Sequence, residues 1–230
     1  MNESIKSVLA EYDRRGAEEW KLRNHMSEDE WMSHRDEFLI SIGRHTGRLL
    51  NILIKGAMAR NILEIGTSYG HSTVWLAEAA AAIDGRVVTI DCAANKQEYA
   101  RAMIEKAGLA TQVDFQLGDA RDLIESLRGP FDFVLVDLWK ELYIPCFDLF
   151  YPKLSSGALV AADNMVNPQS AQPDALAYRK HVRAKPHIDS VLLTVGSGVE
   201  LSRYGDSLID TNGGEPGLFA NPALPPRRTQ

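Results

Sequence analysis

Five short apolar segments, separated by longer stretches with a helical period, constrain the fold of this chain more than any other feature. The segments are rich in Val, Ile, Leu and Phe and are too short to form helices of their own, so they predict buried parallel strands. They cover residues 61–65, 86–91, 112–117, 131–137 and 158–163. The helical stretches between them cover residues 72–82, 96–107, 119–127 and 142–149. Strands and helices that alternate in this way form right-handed βαβ units, which predicts the α/β class with a doubly wound sheet.

The chain before the first strand predicts helices. Residues 1–57 have a helical pattern interrupted by Gly43 and Gly47, and we expect them to form an N-terminal helical cap. The cap would cover a Rossmann-like core at 58–204. Cap and core together, residues 1–204, are expected to form a single domain, because a chain of this length suffices for one substantial core.

The chain after the fifth strand predicts an antiparallel hairpin. A helical stretch at 175–183 precedes two apolar runs at 188–195 and 199–204, which Gly196-Ser197-Gly198 separates. The hairpin would complete a mostly parallel sheet of seven strands. Residues 205–230 are dense in Gly, Pro, Asn and Asp and have little periodicity, so we expect a flexible tail or an arm ordered in an oligomer.

Composition and charge exclude several classes of protein. The 25 basic and 31 acidic residues give a net charge of -6, so nothing in the overall charge balance suggests a nucleic-acid partner. Its two cysteines, Cys92 and Cys146, are too few for a disulfide framework, which suits a reducing compartment. The sequence begins without a signal-peptide pattern, and no apolar run reaches membrane-spanning length. We therefore expect a cytoplasmic protein with no membrane and no nucleic-acid partner.

An acidic residue lies within a few positions of every strand end in the predicted parallel sheet. These residues are Glu64, Asp91, Asp119, Asp137 and Asp163, and Gly66, Gly118 and Asn164 accompany them. In doubly wound sheets, ligands bind at the carboxyl ends of the strands, where loops diverge and helix N-termini point into the crevice. The pattern therefore predicts a ligand site along this edge of the sheet.

The first strand end is followed by a glycine turn. Gly66 and Gly70 permit a tight turn and a close approach of the backbone to a ligand, and Ser72 is placed to cap the following helix. An ordinary strand-to-helix turn explains the same residues equally well, and the glycine spacing of a dinucleotide site is absent. The turn alone therefore leaves the ligand open.

Two further acidic residues suit a nucleoside. Asp91 is placed to accept hydrogen bonds from both hydroxyls of a ribose, and Asp119 to accept one from the amine of an adenine ring. A solvated strand end and a plain helix N-cap are the respective alternatives. Because the turn carries no phosphate-binding lysine, a nucleoside without phosphates fits, and a cationic sulfonium cofactor fits better than a polyanion.

The fourth and fifth strand ends suit a cation and a base. Asp137, Asp163 and Asn164 would bring three oxygen ligands to one point, the ligand type that magnesium or calcium prefers. An Asx turn is the structural alternative for the last two. Lys140 lies in a loop where a cation and the apolar Trp139 would lower its pKa, which makes it a candidate general base. A surface lysine is the common alternative.

These motifs resemble those of one enzyme family. The runs Asp137-Leu138-Trp139-Lys140 and Ala162-Asp163-Asn164 resemble the class I S-adenosylmethionine (SAM)-dependent O-methyltransferases, and in particular animal catechol O-methyltransferase. The resemblance extends through Leu63-Glu64-Ile65-Gly66, Tyr69-Gly70-His71-Ser72 and Thr89-Ile90-Asp91. It implies an enzyme that transfers a methyl group from SAM to a hydroxyl of a small aromatic, catechol-like substrate with the help of a divalent cation.

The resemblance also implies a role for individual residues. Those implied in binding the cofactor are Ile42, Glu64, Gly66, Tyr69, Gly70, Ser72, Asp91, Cys92, Gly118, Asp119, Ala120 and Asp137. Those implied in binding the substrate are Phe38, Trp139, Lys140, Asn164 and Pro168. Asp137, Asp163 and Asn164 are implied as ligands of Mg²⁺ or another divalent cation. Lys140 is implied as the catalytic base that accepts the substrate proton.

Substrate, alternative function and oligomeric state stay open at the level of sequence. The family's glutamate that anchors the second catechol hydroxyl falls near Val191, where Asp189 and Ser190 are the polar neighbours. Gly66 and Asp91 would also suit an NAD-dependent oxidoreductase, and a non-catalytic SAM-binding protein is a further alternative. The apolar cap and the Pro-rich tail could both mediate dimerisation, so a homodimer is also considered.

Overall fold

The computed structural model describes residues 1–205, apart from the side chains of Glu28 and Met32, and its centre is one β-sheet. The strands of this part of the chain are β1 (Asn61–Ile65), β2 (Arg86–Asp91), β3 (Val113–Leu117), β4 (Phe131–Val136), β5 (Leu154–Ala162), β6 (Ile188–Leu193) and β7 (Val199–Tyr204). Their order across the sheet is β3-β2-β1-β4-β5-β7-β6. Strands β1 to β5 pair in parallel, and β7 is antiparallel to both β5 and β6. The predicted seven-stranded, mostly parallel sheet with an antiparallel C-terminal hairpin is confirmed.

Helices cover both faces of the sheet. They are α1 (Glu3–Arg23), α2 (Glu28–His34), α3 (Gly43–Ala57), α4 (His71–Ala82), α5 (Ala94–Lys106), α6 (Ala120–Ser126), α7 (Tyr143–Phe150) and α8 (Gln172–Arg183). Because successive strand side chains point to opposite faces, Leu63 and Val134 pack in one core with α6, α7 and α8. Ile62 and Phe133 pack on the other face with α3 and α4.

Helix α1 packs against α4, which is buried along most of its length. Tyr12 of α1 belongs to the same apolar cluster as Val74 and Trp75 of α4. Gly43 begins α3 as expected, but Gly47 lies inside that helix, so the expected break there was wrong. A Cβ atom at Gly47 would lie 2.5 Å from the Trp75 ring, so this glycine serves close packing between α3 and α4. The division into cap and core stays a prediction.

The strand ends differ from the predicted ones in a way that matters for function. Strand β4 stops one residue before Asp137, and β5 stops one residue before Asp163. Val136 and Ala162 are paired across the two strands, so both aspartates emerge side by side at the same edge. The backbone N–H of Asp137 donates to Ile65, and that of Asp163 donates to Val136, which ties both residues to the sheet.

In the C-terminal hairpin, β7 lies between β5 and β6, so β6 is the edge strand although it precedes β7 in the chain. Strand β6 is only half-buried, as an edge strand would be. The predicted tail at 206–230 lies outside the described residues. Within residues 1–205, no helix is both long and apolar enough to cross a membrane.

Candidate active site

The predicted acidic residues meet at one edge of the sheet. Glu64, Asp91, Asp137 and Asp163 lie at or directly after the carboxyl ends of β1, β2, β4 and β5, which are neighbours in the sheet. A narrow cleft opens there between the glycine turn and the segment that precedes α3. Its lining residues are Leu39, Ile40, Ser41, Ile42, Gly66, Thr67, Ser68, Tyr69, His71, Ser72 and Asp137. The cleft thus brings together five of the residues that the resemblance implies for the cofactor.

The glycine turn has no room for side chains at its two glycines. Gly66 has a φ of 105°, and a Cβ atom there would lie 1.9 Å from the carbonyl oxygen of Asp137. Gly70 has a φ of 86°, and a Cβ atom there would lie 2.7 Å from the Cβ of Ala100. Gly70 itself precedes the first residue of α4, and no side chain caps this helix, so the expected cap by Ser72 was wrong. Both glycines are required by conformation and by space.

Glu64 is a buried carboxylate with one oxygen in use. Its Oε2 accepts hydrogen bonds from the hydroxyls of Thr73 and Thr89, both at 2.6 Å. Its Oε1 is buried and has no partner within the described residues. Burial raises the pKa of Glu64 to about 7, although the hydroxyl groups around it oppose the shift. An unpaired buried carboxylate oxygen is costly, so this atom is suited to a hydrogen-bond donor from a ligand.

Asp91 braces the glycine turn from the end of β2. Its Oδ2 accepts a hydrogen bond from the backbone N–H of Ser68 at 2.7 Å, and its Oδ1 accepts one from that of Ala93 at 2.9 Å. Each carboxylate oxygen can accept a further bond, so these contacts are compatible with a ribose. Cys92 follows directly and is exposed.

Asp119 caps the N-terminus of α6, which was the alternative to a role in adenine binding. Its Oδ1 accepts from the backbone N–H of Arg121 at 2.8 Å, at the N-terminus of α6. The Arg121 guanidinium also pairs with both carboxylate oxygens, at 3.0 and 2.8 Å, and this hydrogen bonding lowers the pKa of Asp119 to about 2. Gly118 joins the end of β3 to that of β2 through its N–H bond to Asp91. Ala120 packs partly buried against the core.

Asp137, Asp163 and Asn164 place oxygen atoms at the ends of β4 and β5. Asp163 is 2% exposed, and its Oδ1 has no partner in the described part of the chain. Asn164 has a φ of 56°, a conformation that asparagine tolerates in tight turns. Burial raises the pKa of Asp163, and the negative charge of Asp137 raises it further. Within residues 1–205, no group of three or more His, Cys, Asp or Glu side chains is arranged to hold a metal, so a cation site here would consist of two carboxylates and one amide.

Lys140 lies beside this group on a short 3-10 turn, Lys140–Leu142. Its Nζ donates to the hydroxyl of Tyr143 and, at 3.4 Å, to Oδ1 of Asn164. Burial lowers the pKa of Lys140 to about 8, against the opposing charge of Asp137. The fraction of neutral amine near neutral pH is therefore much larger than for an exposed lysine.

The three residues expected as apolar substrate walls have different surroundings. Trp139 is 41% exposed, and the guanidinium carbon of Arg35 lies 4.0 Å from the centroid of its ring system. Phe38 packs edge-on against Trp31 at 4.9 Å and lines a groove between α1 and α2, outside the cleft described above. Pro168 is exposed and follows a cis peptide bond.

Comparison with known proteins assigns this arrangement to a family. A model of the O-methyltransferase family matches residues 21–204. The chain belongs to this family. It is 34% identical to the catechol O-methyltransferase of Mycobacterium tuberculosis, over 68% of this chain and 76% of that protein. It is 32% identical to the caffeoyl-CoA O-methyltransferase of Petroselinum crispum, over 72% and 77% respectively. The O-methyltransferase from Bacillus cereus in complex with SAH is 27% identical, with a TM-score of 0.68 over 86% of this chain and 90% of that chain.

The family membership confirms the expected class I SAM-dependent O-methyltransferase, and with it an enzyme. It sets aside the NAD-dependent oxidoreductase and the non-catalytic binding protein as alternatives. A homodimer and a cytoplasmic location stay predictions for this methyltransferase.

Several polar residues of the site were missed by the sequence analysis. Thr73 and Thr89 hold the Glu64 carboxylate of the methyltransferase, and Tyr143 contacts its Lys140. A possible signal for Thr73 was its position on the first turn of a helix whose other residues are mostly apolar. Arg35 lies in the N-terminal segment, more than 100 residues from Trp139, and no local pattern predicts that contact.

His71 is another unassigned residue that lines the cleft of the methyltransferase. It is 4% exposed, and its Nδ1 is buried without a partner in the described structure. Its ring lies edge-on to that of Tyr12 at 5.4 Å. Burial lowers its pKa from 6.5 to about 4, so the folded protein keeps the imidazole neutral where the unfolded chain protonates it. Folding stability is therefore lost as the pH falls from 6.5 toward 4.

We expect the substitution His71→Phe, which keeps an aromatic ring beside Tyr12, to remove this pH dependence. Between pH 7 and 4.5 the unmodified methyltransferase should lose about 2 kcal/mol more unfolding free energy than the variant. Urea unfolding at both pH values measures the difference. Groups that titrate in both proteins, Glu64 among them, cancel in this comparison. Equal losses would contradict a neutral, buried imidazole.

Proposed function

We propose that this methyltransferase transfers the methyl group of SAM to one hydroxyl of a small aromatic vicinal diol, with a divalent cation held by Asp137, Asp163 and Asn164. The observation that carries the proposal is the buried Asp163 carboxylate. Its Oδ1 has no hydrogen-bond partner among the described residues, and the carboxylate of Asp137 lies beside it. The buried Asp163 carboxylate and the half-buried Asp137 carboxylate beside it repel each other and lose hydration. A cation would relieve both penalties.

The residues present fit a hard cation. The donor set consists of two carboxylates and one amide oxygen, the ligands that Mg²⁺, Ca²⁺ or Mn²⁺ prefer over softer atoms. Asp163 and Asn164 are consecutive, and Asp137 lies at the end of the adjacent strand, so the three are held by a rigid sheet edge. A bound cation would act as a Lewis acid that stabilises negative charge on the substrate oxygen.

The residues around the cleft also fit SAM. The unpaired Oε1 of Glu64 suits an amine, and Gly66 leaves its backbone open to close approach. We assign the methionine part to Ile42, Glu64, Gly66, Tyr69, Gly70, Ser72 and Asp137, the ribose to Asp91 and Cys92, and the adenine to Gly118, Asp119 and Ala120. The Asp119 side chain can accept from adenine while it keeps its bonds to Arg121, because each oxygen accepts more than one bond. When bound, SAM supplies a methyl group on a positively charged sulfur.

Lys140 is the proposed base of the reaction. Its neutral amine removes the proton from one substrate hydroxyl, and the oxygen keeps the electron pair of the broken O–H bond. Asn164 and Trp139 hold the substrate near this amine, with Pro168 and Phe38 as further walls. The main contribution of the protein is then to position the oxygen and exclude water, since opposite charges neutralise each other during the transfer. No covalent intermediate with a Ser or Cys is required.

Two observations bear on the choice of substrate. The relatives reported above are named for catechol and for caffeoyl-CoA, which both present vicinal oxygens on an aromatic ring. At the position where catechol enzymes carry a glutamate, Val191 is 51% exposed, and the hydroxyl of the adjacent Ser190 is bound to Glu200 and Ser202. We therefore infer that the cation holds the second hydroxyl without a counterpart of that glutamate at Val191, which leaves the outer part of the ring free to vary.

A panel of acceptors tests this substrate class. Catechol, caffeate and caffeoyl-CoA are each compared with phenol and with the corresponding monohydroxy compounds in a methyl-transfer assay with SAM. We expect the vicinal diols to react at least about 100-fold faster, because a monohydroxy compound loses one contact to the cation. Equal rates for catechol and phenol would contradict cation-held vicinal oxygens.

A further inference from the structure

Tyr143 is buried between the proposed base and the proposed cation site. It is the first residue of α7 and has no exposed surface. Its hydroxyl accepts a hydrogen bond from Nζ of Lys140 and donates one to the backbone carbonyl of Asp163 at 3.2 Å. The Lys140 amine also lies over the Tyr143 ring, 3.8 Å from its centroid. The side chain therefore connects the base to the loop that carries Asp163 and Asn164.

We propose that Tyr143 is a positioning residue that orients the Lys140 amine so that its lone pair faces the substrate hydroxyl. The proposal rests on the proposed function, in which Lys140 accepts the substrate proton. Tyr143 itself does not touch the reacting atoms.

The hydrogen-bonding capacity of a neutral lysine supports this role. A neutral amine has two N–H groups and one lone pair. One N–H donates to Tyr143 and the other to Asn164, so the lone pair is left for the proton of the substrate. In the step itself the O–H bond of the substrate breaks, its electron pair stays on oxygen, and a third N–H bond forms on Lys140. Without the acceptor on Tyr143, the flexible lysine side chain would have several orientations, in only some of which the lone pair faces the substrate.

The direction of the bonds around Tyr143 also agrees with the proposal. The single proton of its hydroxyl is directed to the Asp163 carbonyl, so its oxygen is available as an acceptor for the lysine. The ring is fixed by an edge-on contact with Tyr178, with 5.4 Å between centroids. A rigid acceptor at a fixed place is what an orienting group requires.

The chain offers a matched control for removal of this hydroxyl. Tyr178 is 1% exposed and packs against Tyr143, but its own hydroxyl has no partner within residues 1–205. Tyr143→Phe and Tyr178→Phe therefore each remove one buried phenolic oxygen from the same cluster. Only the first removes a contact of Lys140.

Steady-state methyl transfer to catechol with saturating SAM and Mg²⁺ is the first test. We expect Tyr143→Phe to lower kcat by about 10- to 100-fold, with the KM for SAM and the thermal unfolding midpoint close to those of the unmodified enzyme. We expect Tyr178→Phe to keep the original kcat. Unchanged kcat in Tyr143→Phe would overturn the proposal, and so would an equal loss in Tyr178→Phe.

A double-mutant cycle with Lys140→Met is the second test, because a residue that acts through Lys140 has no effect once Lys140 is removed. We expect Tyr143→Phe to reduce the residual rate of Lys140→Met by less than twofold. A full 10-fold or larger loss in that background would show that Tyr143 acts independently of the lysine and would overturn the proposal. Failure of the proposed function gives a different result, namely no methyl transfer to any vicinal diol by the unmodified enzyme.

Discussion

The substitution Lys140→Met is expected to lower kcat for methyl transfer by about 10²- to 10⁴-fold, the usual contribution of a positioned general base. Methionine has a similar length and suits the apolar part of the lysine site, so the fold should be kept. Lys140 is not among the residues that line the cleft implied for SAM. The affinity for S-adenosylhomocysteine, measured by calorimetry, should therefore change less than threefold.

Lys106→Met is the matched control for this prediction. Lys106 ends α5, is largely exposed, and pairs with Glu11 at the surface. Its replacement removes the same positive charge from the chain at a place remote from the strand ends. We expect Lys106→Met to keep the kcat of the unmodified enzyme. A Lys140→Met enzyme that keeps more than half of the original kcat would rule out Lys140 as the base.

The substitution Asp163→Asn is expected to have two opposite effects. Turnover should fall by about 10³-fold, because a metal stabilises the reacting oxygen by several kcal/mol and each 1.4 kcal/mol corresponds to a factor of ten. In the absence of a cation, the variant should be more stable than the unmodified enzyme at neutral pH. The raised pKa of Asp163 means that its ionisation disfavours folding, and asparagine of the same shape removes this penalty.

Thermal unfolding with and without Mg²⁺ measures the second effect. The stability advantage of Asp163→Asn should grow as the pH rises from the usual pKa of a carboxyl toward 8, since the unfolded chain then loses the Asp163 proton while the folded protein, in which the pKa is raised to about 8, keeps it. Mg²⁺ should raise the unfolding midpoint of the unmodified enzyme more than that of the variant. Asp148→Asn is the control, because Asp148 pairs with His181 and Lys185 at the surface. If Mg²⁺ raised the unfolding midpoints of the unmodified enzyme and of Asp163→Asn equally, this would contradict a cation ligand at position 163.

The sequence predicted those parts of the enzyme that depend on local patterns. Apolar runs mark β1 to β5 because buried parallel strands need apolar side chains on both faces. Parallel strands also end at one edge, so the position of Asp137 and Asp163 beside each other followed from the strand assignment before any contact was known. The glycine turn was predicted from the two glycines that follow the first strand. Gly66 and Gly70 both have positive φ angles in the structure.

Features that depend on contacts between distant segments could not be predicted in this way. Gly47 looked like a helix break, and only the ring of Trp75 on another helix explains why it lies inside α3. A contact between near neighbours can also escape prediction: whether Tyr143 accepts a hydrogen bond from Lys140 depends on side-chain direction on a short turn, which the spacing of three residues does not determine.

The proposed cation at the ends of β4 and β5 would make methyl transfer dependent on a metal. This dependence is measured by the initial rate of methyl transfer from SAM to catechol by enzyme treated with EDTA, before and after Mg²⁺ is added in excess. We expect a rate at least about 100-fold lower in EDTA and full recovery with Mg²⁺, with no recovery in Asp163→Asn. Full activity in EDTA, unchanged by added Mg²⁺, would contradict it.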